Sequence, residues 1–327
     1  MRKPARNMFW LLAAVVASAS FSVFDSVAQS YPVKPVRLVV GVAPGGSTDT
    51  TARLVGQKLS ELLGQPVFVE NRTGAAGSIA NERVATSPAD GYTLLVLGAS
   101  ATILAALRVK LPYDIERDFA PVSLMALGTA VLTVHPSLPA RNVKELIALA
   151  RRHPGKLNFG SSGVNGATHF MGELFSLLSK VKLSHVPFKG SAPSAIATVA
   201  GHIEIGFLDI TVTLPLVKSG KLRALAVTTL KRSSLMPSIP TLDESGLPGY
   251  DYAGWYGLVA PAGVPKDVIA RLSVATGKVI NTSAMRESLN KQGLEPQANT
   301  PEQFVTFIRG KIAKNAELIK LAGLKAE

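Results

Sequence analysis

From residue 37 onward, short apolar runs alternate with stretches in which apolar residues recur at helical spacing. Arg37-Leu38-Val39-Val40 is a β-branched run that predicts a buried strand. Beyond Thr51, the positions Ala52, Val55, Leu59 and Leu62 mark one face of a helix, which Gly64 and Pro66 stop. Pro66–Val69 predicts a second strand, the turn Asn71–Ser78 follows it, and Ile79, Val84 and Ala85 continue as a helix. Tyr92–Leu97 and the turn Gly98–Thr102 repeat the unit a third time. Three strand, small-residue turn, helix units predict an α/β chain built on a doubly wound parallel sheet. Ligands of such sheets sit beyond the carboxyl ends of the strands, where all three turns lie.

A second series follows an irregular stretch from Pro112 to Pro121. Leu124–Leu127 and Val131–Val134 read as strands with Gly128 between them. Asn142 and Glu145 form a capping box for a helix reaching Arg152. Leu157–Gly160 is a strand that runs into Ser161-Ser162-Gly163-Val164-Asn165-Gly166-Ala167-Thr168-His169. That loop repeats the logic of the first turn and is expected to face it from another domain. Further strands are expected at Leu183–Pro187, Ile203–Asp209 and Leu222–Thr228. The proline- and glycine-rich stretch 236–250 reads as a domain crossing, and Tyr252–Ala260 as a strand. The helices after Pro265 cannot bury their apolar faces alone and are expected to pack on the first domain. The expected division is 29–128 plus 253–327 for one domain and 129–252 for the other.

The N-terminus reads as a targeting signal. Arg2, Lys3 and Arg6 precede the apolar run Met8–Ala17, and Ser26-Val27-Ala28 ends in small residues, so cleavage is expected after Ala28. The run is too short to span a bilayer. The expected product is a soluble exported protein, most simply periplasmic. The chain of 327 residues has no cysteine, which removes disulfides, thiolate zinc sites and a cysteine nucleophile. Its formal charge is +13, but the basic residues are scattered and aromatics are 6%, so no nucleic-acid surface is expected. The five histidines show no H-E-x-x-H pattern, and neither a metal nor another cofactor is expected.

The candidate chemistry centres on Val42-Ala43-Pro44-Gly45-Gly46-Ser47-Thr48-Asp49. The spacing Gly41-x4-Gly46-Ser47-Thr48 is a P-loop with Ser47 in place of the lysine. With no long cation to reach a phosphate, it reads as a backbone cradle for a small acid. Gly45 and Gly46 would allow unusual φ/ψ and close approach. The first N–H groups of the helix and its macrodipole would attract a carboxylate. An ordinary βα turn capped by Ser47, Thr48 or Asp49 is the alternative. Gly77 and Ser100 lie on the second and third turns. Ser161, Ser162, Gly163, Gly166, Thr168 and His169 belong to the opposed loop. Lys189 could neutralise an acid. Asp49 could receive an amine or cap the helix, and Asp209 ends an apolar strand where a carboxylate needs a partner. A serine hydrolase using Ser161 or Ser162 with His169 is a competing reading, although no G-x-S-x-G occurs. A sensor that signals through a membrane partner is another. Neither cradle holds an arginine, so the ligand is expected to be a small mono- or dicarboxylate; the signal peptide, the two opposed cradles and the lack of a catalytic motif make a non-enzymatic receptor the expectation.

Taken together, Tyr31-Pro32-x-Lys34-Pro35-Val36-Arg37, Ala43-Pro44-Gly45-Gly46-x-x-Asp49-x-x-Ala52-Arg53 and Glu70-Asn71-Arg72-x-Gly74-Ala75-x-Gly77 resemble the Bug family. These are the extracytoplasmic solute receptors of tripartite tricarboxylate transporters. Ala89–Leu94, Phe159-Gly160-Ser161-x-Gly163, Phe188-Lys189-Gly190 and Trp255-Tyr256-Gly257-Leu258 fit as well. Glu204 and Phe188 depart from the family's usual aspartate and tyrosine. The resemblance implies a type II periplasmic-binding-protein fold, two α/β domains closing on a ligand. It implies that backbone groups of the 43–49 and 161–169 loops hold a carboxylate, partly through water. The expected partners are the membrane subunits of such a transporter, and the chain itself is expected to be a monomer.

Overall fold

The computed structural model describes residues 31–108 and 110–322. The signal peptide expected over 1–28 lies outside these residues. In chain order the strands are β1 (Val36–Val40), β2 (Val67–Asn71), β3 (Thr93–Gly98), β4 (Phe119–Gly128), β5 (Ala130–Val134), β6 (Asn158–Ser161), β7 (Ser184–Pro187), β8 (Ile205–Asp209), β9 (Arg223–Val227), β10 (Gly254–Pro261) and β11 (Leu294–Pro296). They form two sheets, with orders β11-β4-β10-β3-β1-β2 and β7-β6-β8-β5-β9. The helices are α1 (Ser47–Leu63), α2 (Ser78–Ala85), α3 (Ala99–Ala106), α4 (Val143–Arg152), α5 (Ala167–Ser179), α6 (Ser191–Val199), α7 (Ile210–Lys218), α8 (Lys266–Ile280), α9 (Ser283–Lys291) and α10 (Pro301–Ala322). We call the first sheet with its helices the first lobe, and the second sheet with α4–α7 the second lobe.

The sheets are mixed, where the repeated units alone predict parallel ones. β1 runs parallel to β2 and β3, and β6 parallel to β7 and β8. β10 lies between β3 and β4 and is antiparallel to both, and β5 is antiparallel to β8 and β9. An apolar run reports that a strand is buried but not which way it runs, so the returning strand could not be oriented from its residues.

Local capping follows the sequence on the outer helices. Asn142 Oδ1 accepts the Glu145 N–H at 2.9 Å. The Glu145 carboxylate accepts from the Arg141 N–H rather than that of Asn142, so the box closes one residue early. Thr300 Oγ1 and Gln303 Oε1 cap α10 reciprocally, with Pro301 at its first position. α8 packs on α1 and β4, and α10 on α3 and β4. The Trp255 indole meets Phe304 and Phe307 of α10 edge to face at 5.8 and 5.6 Å. This contact fixes the C-terminal helix to the strand that comes back from the second lobe. Burying one such aromatic contributes about 1.5–3 kcal/mol.

Candidate functional site between the lobes

Six helices point their N-termini at one cavity. Its lining includes Gly46 and Thr48 of the α1 start, Gly77 before α2, Gly98 to Ser100 at α3, Ala167 and Thr168 at α5, Ser191 at α6 and Asp209 before α7. None of these six helices has a side-chain cap at its own N-cap residue. By contrast, α4 and α9, which open elsewhere, are capped by Asn142 and Thr282. A helix start leaves N–H groups without helical partners and carries partial positive charge. The N-cap residues thus leave these termini to other partners: Asp209, Ser100 Oγ and the Thr129 carbonyl take the first N–H of α1, α5 and α7, and the remaining turn ends face the cavity.

The inner chamber holds about 70 Å³ and is lined by no lysine, arginine or histidine. An outer chamber of about 280 Å³ shares Gly41, Val42, Ala76, Gly77, Ser100 and Ser162 with it and continues to Gly163 and Lys189. Water-sized sites need roughly 10–15 Å³ each, so the inner chamber has room for a few ligand or water atoms. The lobes are closed over it. The Ala43 N–H donates to the Lys189 carbonyl at 3.0 Å, and the Ala167 N–H to Ser100 Oγ at 3.2 Å.

The first loop corrects several expectations. Positive φ belongs to Gly45 (+94°), while Gly46 sits at −85°, a value open to any residue. Asp49 neither caps α1 nor lines the cavity. Its carboxylate is buried and accepts the Gly45 N–H at 3.0 Å, Arg53 Nε at 2.9 Å and Asn71 Nδ2 at 2.9 Å. Burial alone would raise its pKa, but the bonds from Arg53, Asn71 and Gly45 outweigh that and hold it low. Ser47 is buried, with its Oγ 2.7 Å from Thr211 Oγ1 of α7. Its N–H is taken at 3.3 Å by Asp209 Oδ2 from the other lobe. Two N–H groups of the expected cradle thus already have protein carboxylates as acceptors. Ala43, Gly45, Ser47 and Asp49 shape the loop, and Val42 and Gly46 are its candidates that line the chamber.

In the second loop, Ser162 and Thr168 line the chamber and Ser161, Gly166 and His169 lie behind them. Thr168 Oγ1 accepts the Ser162 N–H at 2.7 Å and lies 2.8 Å from Ser162 Oγ. Thr168→Val keeps the shape but leaves the Ser162 N–H without this acceptor. It is expected to cost about 1–2 kcal/mol of stability and to weaken ligand binding, read by thermal unfolding and calorimetry. Unchanged affinity would show that the loop is not held by this bond.

The hydrolase pairing does not form. Ser161 is fully buried, and its Oγ lies 2.6 Å from Nε2 of His185, not against His169. His169 Nδ1 accepts the Asn165 N–H, and its ring stacks on His185 at 3.7 Å. Burial, then the neighbouring His169, pushes the His185 pKa down to about 3, so His185 packs there as a neutral ring at physiological pH.

Sequence reasoning missed Gly41, Ala76, Asn81, Gly128, Ser191, Trp255 and Tyr256, which all line the inner chamber. Tyr256 comes from β10, and its hydroxyl reaches Ser47. A Cβ at Gly128 would lie 2.7 Å from that hydroxyl oxygen, so the glycine before β5 makes room for it. Lys189 is exposed and reaches only the outer chamber. Among the described residues no cluster of metal-ligating side chains occurs, and no helix is long and apolar enough to cross a membrane.

Comparisons with known proteins agree with this geometry. Residues 51–324 match the family model described as the tripartite tricarboxylate transporter family receptor. The chain is 34% identical to protein BugT of Bordetella pertussis over 98% of its length and 99% of the relative's. An R. palustris protein, Rpa4515, solved with adipate, is 34% identical with a TM-score of 0.88, covering 90% of this chain and 99% of that one. MatC of Rhodopseudomonas palustris, solved with bound malate, is 31% identical with a TM-score of 0.84, covering 88% and 100%. The two-lobed α/β architecture is therefore that of the type II periplasmic binding proteins. With the family model matching residues 51–324 and a Bug relative 34% identical over nearly the whole chain, this chain, with its six helix starts converging on one chamber, belongs to the tripartite tricarboxylate transporter family of solute-binding receptors.

Proposed function

We propose that this protein is a periplasmic receptor, exported by a cleavable signal peptide, that captures a small carboxylate between its lobes. It then delivers the ligand to the membrane subunits of a tripartite tricarboxylate transporter. The single observation that carries the reading is the convergence of six helix N-termini, none capped by its own N-cap side chain, on a chamber with no basic side chain. Such a chamber suits an anion held by N–H dipoles, hydroxyls and water rather than by ion pairs. The adipate and malate of the two solved relatives are acids of this class. The small inner chamber favours a mono- or dicarboxylate, organic acid or acidic amino acid, over a tricarboxylate. The domains are proposed to be 29–128 with 253–327, and 129–252. Closure would then turn on the crossings near Gly128 and Tyr252. Of the candidate residues, Val42, Gly46, Gly77, Ser100, Ser162, Gly163, Thr168 and Asp209 are proposed to meet ligand or its waters.

The test is a thermal-shift screen of the mature chain against mono-, di- and tricarboxylates and acidic amino acids. A ligand at a hundred times its Kd stabilises by about 2.7 kcal/mol, which the melting temperature reports directly. At least one small acid is expected to raise it and citrate to do so least. A folded mature chain that responds to no acid overturns the proposal.

A further inference from the structure

Asp209 is the only carboxylic acid among the residues lining the inner chamber, and no lysine, arginine or histidine lines it. It is the N-cap residue of α7, yet its side chain does not cap that helix. Instead it reaches across the lobes to the Ser47 N–H at 3.3 Å. The Ser191 hydroxyl also bonds it, while its own N–H donates to Ser191 Oγ at 3.0 Å. The elements packed around it bring no positive side chain. β5 offers Ala130 as its strand partner, α1 offers Ser47, and α6 offers Ser191. β10 offers Tyr256, the titratable group that faces it. Burial, then the Asp209 charge, pushes the Tyr256 pKa well above the ordinary tyrosine value, so its hydroxyl is a neutral dipole.

A carboxylate ligand in this chamber would thus meet a like charge with no cation to screen it. Two like charges about 6 Å apart at an effective dielectric near 20 weaken each other's binding about a hundredfold. A proton on Asp209 removes that term and leaves an acid that still accepts from Ser47. Resting on the carboxylate reading above, we propose that anion capture by this receptor is proton-linked: the Asp209 carboxylate takes one proton from solvent as the ligand's carboxylate enters the chamber. Burial already pushes this carboxyl up, and the bonds from Ser47 and Ser191 offset only part of that. Asp209 is then a specificity-determining residue. It favours acids presented at lower pH and opposes multiply charged ones.

Two measurements on the mature chain test this, the first without ligand. A carboxyl whose folded pKa is raised stabilises below the unfolded value, about 3.9, and loses that contribution as pH rises through the folded value. Asp209→Asn, which keeps the acceptor for Ser47, is therefore expected to melt a few degrees above wild type at pH 8. That gain should vanish near pH 4. The second is calorimetry with adipate and malate in buffers of different ionisation enthalpy. Wild type is expected to take up close to one proton per ligand, with affinity falling up to tenfold per pH unit above the Asp209 pKa. Asp209→Asn should bind without uptake and without that slope. Equal melting temperatures at every pH, or proton uptake retained in Asp209→Asn, overturns the proposal. If Asp209→Asn abolishes binding while wild type takes up no proton, Asp209 is an ionised acceptor for a ligand donor and the proposal is wrong. If the melting difference holds but no acid in the full panel binds, the carboxylate reading has failed, and the proposal with it.

Discussion

Gly41→Ala is expected to weaken ligand binding roughly 10- to 100-fold while the protein still folds. Gly41 follows β1 and lines both chambers. A Cβ there would lie 2.6 Å from the Cα of Gly77 and 3.2 Å from its carbonyl oxygen. Both are backbone atoms, so no side-chain rotation relieves the clash. The facing segment has little freedom to retreat. Gly74, Ala75, Ala76 and Gly77 have φ of +132°, +45°, +53° and +92°, and each alanine there already costs roughly 1–2 kcal/mol. Overpacking of this kind costs about 1–3 kcal/mol, which as lost affinity is that 10- to 100-fold. The first and second turns would separate, and the N-termini of α1 and α2 with them. Calorimetry with the best acid from the screen, alongside circular dichroism, decides it. Wild-type affinity in a folded Gly41→Ala protein would falsify the claim that this close approach builds the site.

Asp49→Ala should lower stability by about 2–4 kcal/mol and affinity as a consequence. The side chain is 4% exposed and ties the first loop to α1 and β2 through Gly45, Arg53 and Asn71. Removing it leaves buried or half-buried donors without their acceptor, the costlier half of losing a hydrogen bond. Arg53 is half exposed, so water replaces part of that bond and the pair cannot be counted at its full buried value. The pH dependence has the opposite sign to that of Asp209. Because the folded pKa of Asp49 is depressed, its stabilisation is complete above the unfolded value near 3.9 and is lost as pH falls through the folded one. The melting difference between wild type and Asp49→Ala should be full at pH 7 and shrink below pH 4. A constant difference across that range would mean that the loss is one of packing rather than charge.

The repeated units were legible because each part is local. β-branched runs, helical spacing, glycine-rich turns and the outer capping residues Asn142 and Thr300 act over a few residues. The chain therefore places β1 to β3, the opposed 161–169 loop and the outer caps without tertiary information. The same locality explains why two small-residue loops marked the chamber between the lobes. What removes a helix cap is written in the residue that should have supplied it, as at Gly46, Gly98 and Gly166.

Only the tertiary structure decided which groups in those loops face the chamber. Asp49, Ser161 and His169 have side chains that suit ligand contact, yet each is turned to a partner distant in sequence or packed behind the loop. Tyr256 and Gly128 lie far apart in the chain and meet because β10 runs back antiparallel against β4. Asp209 reads from the sequence as a carboxylate in need of a partner. That the partner is the α1 N-terminus of the opposite lobe, more than 160 residues away, follows only from closure of one sheet over the other. A side chain's role in a cleft is set by what the other wall presents to it, and that wall is assembled by long-range packing that no short window of sequence encodes.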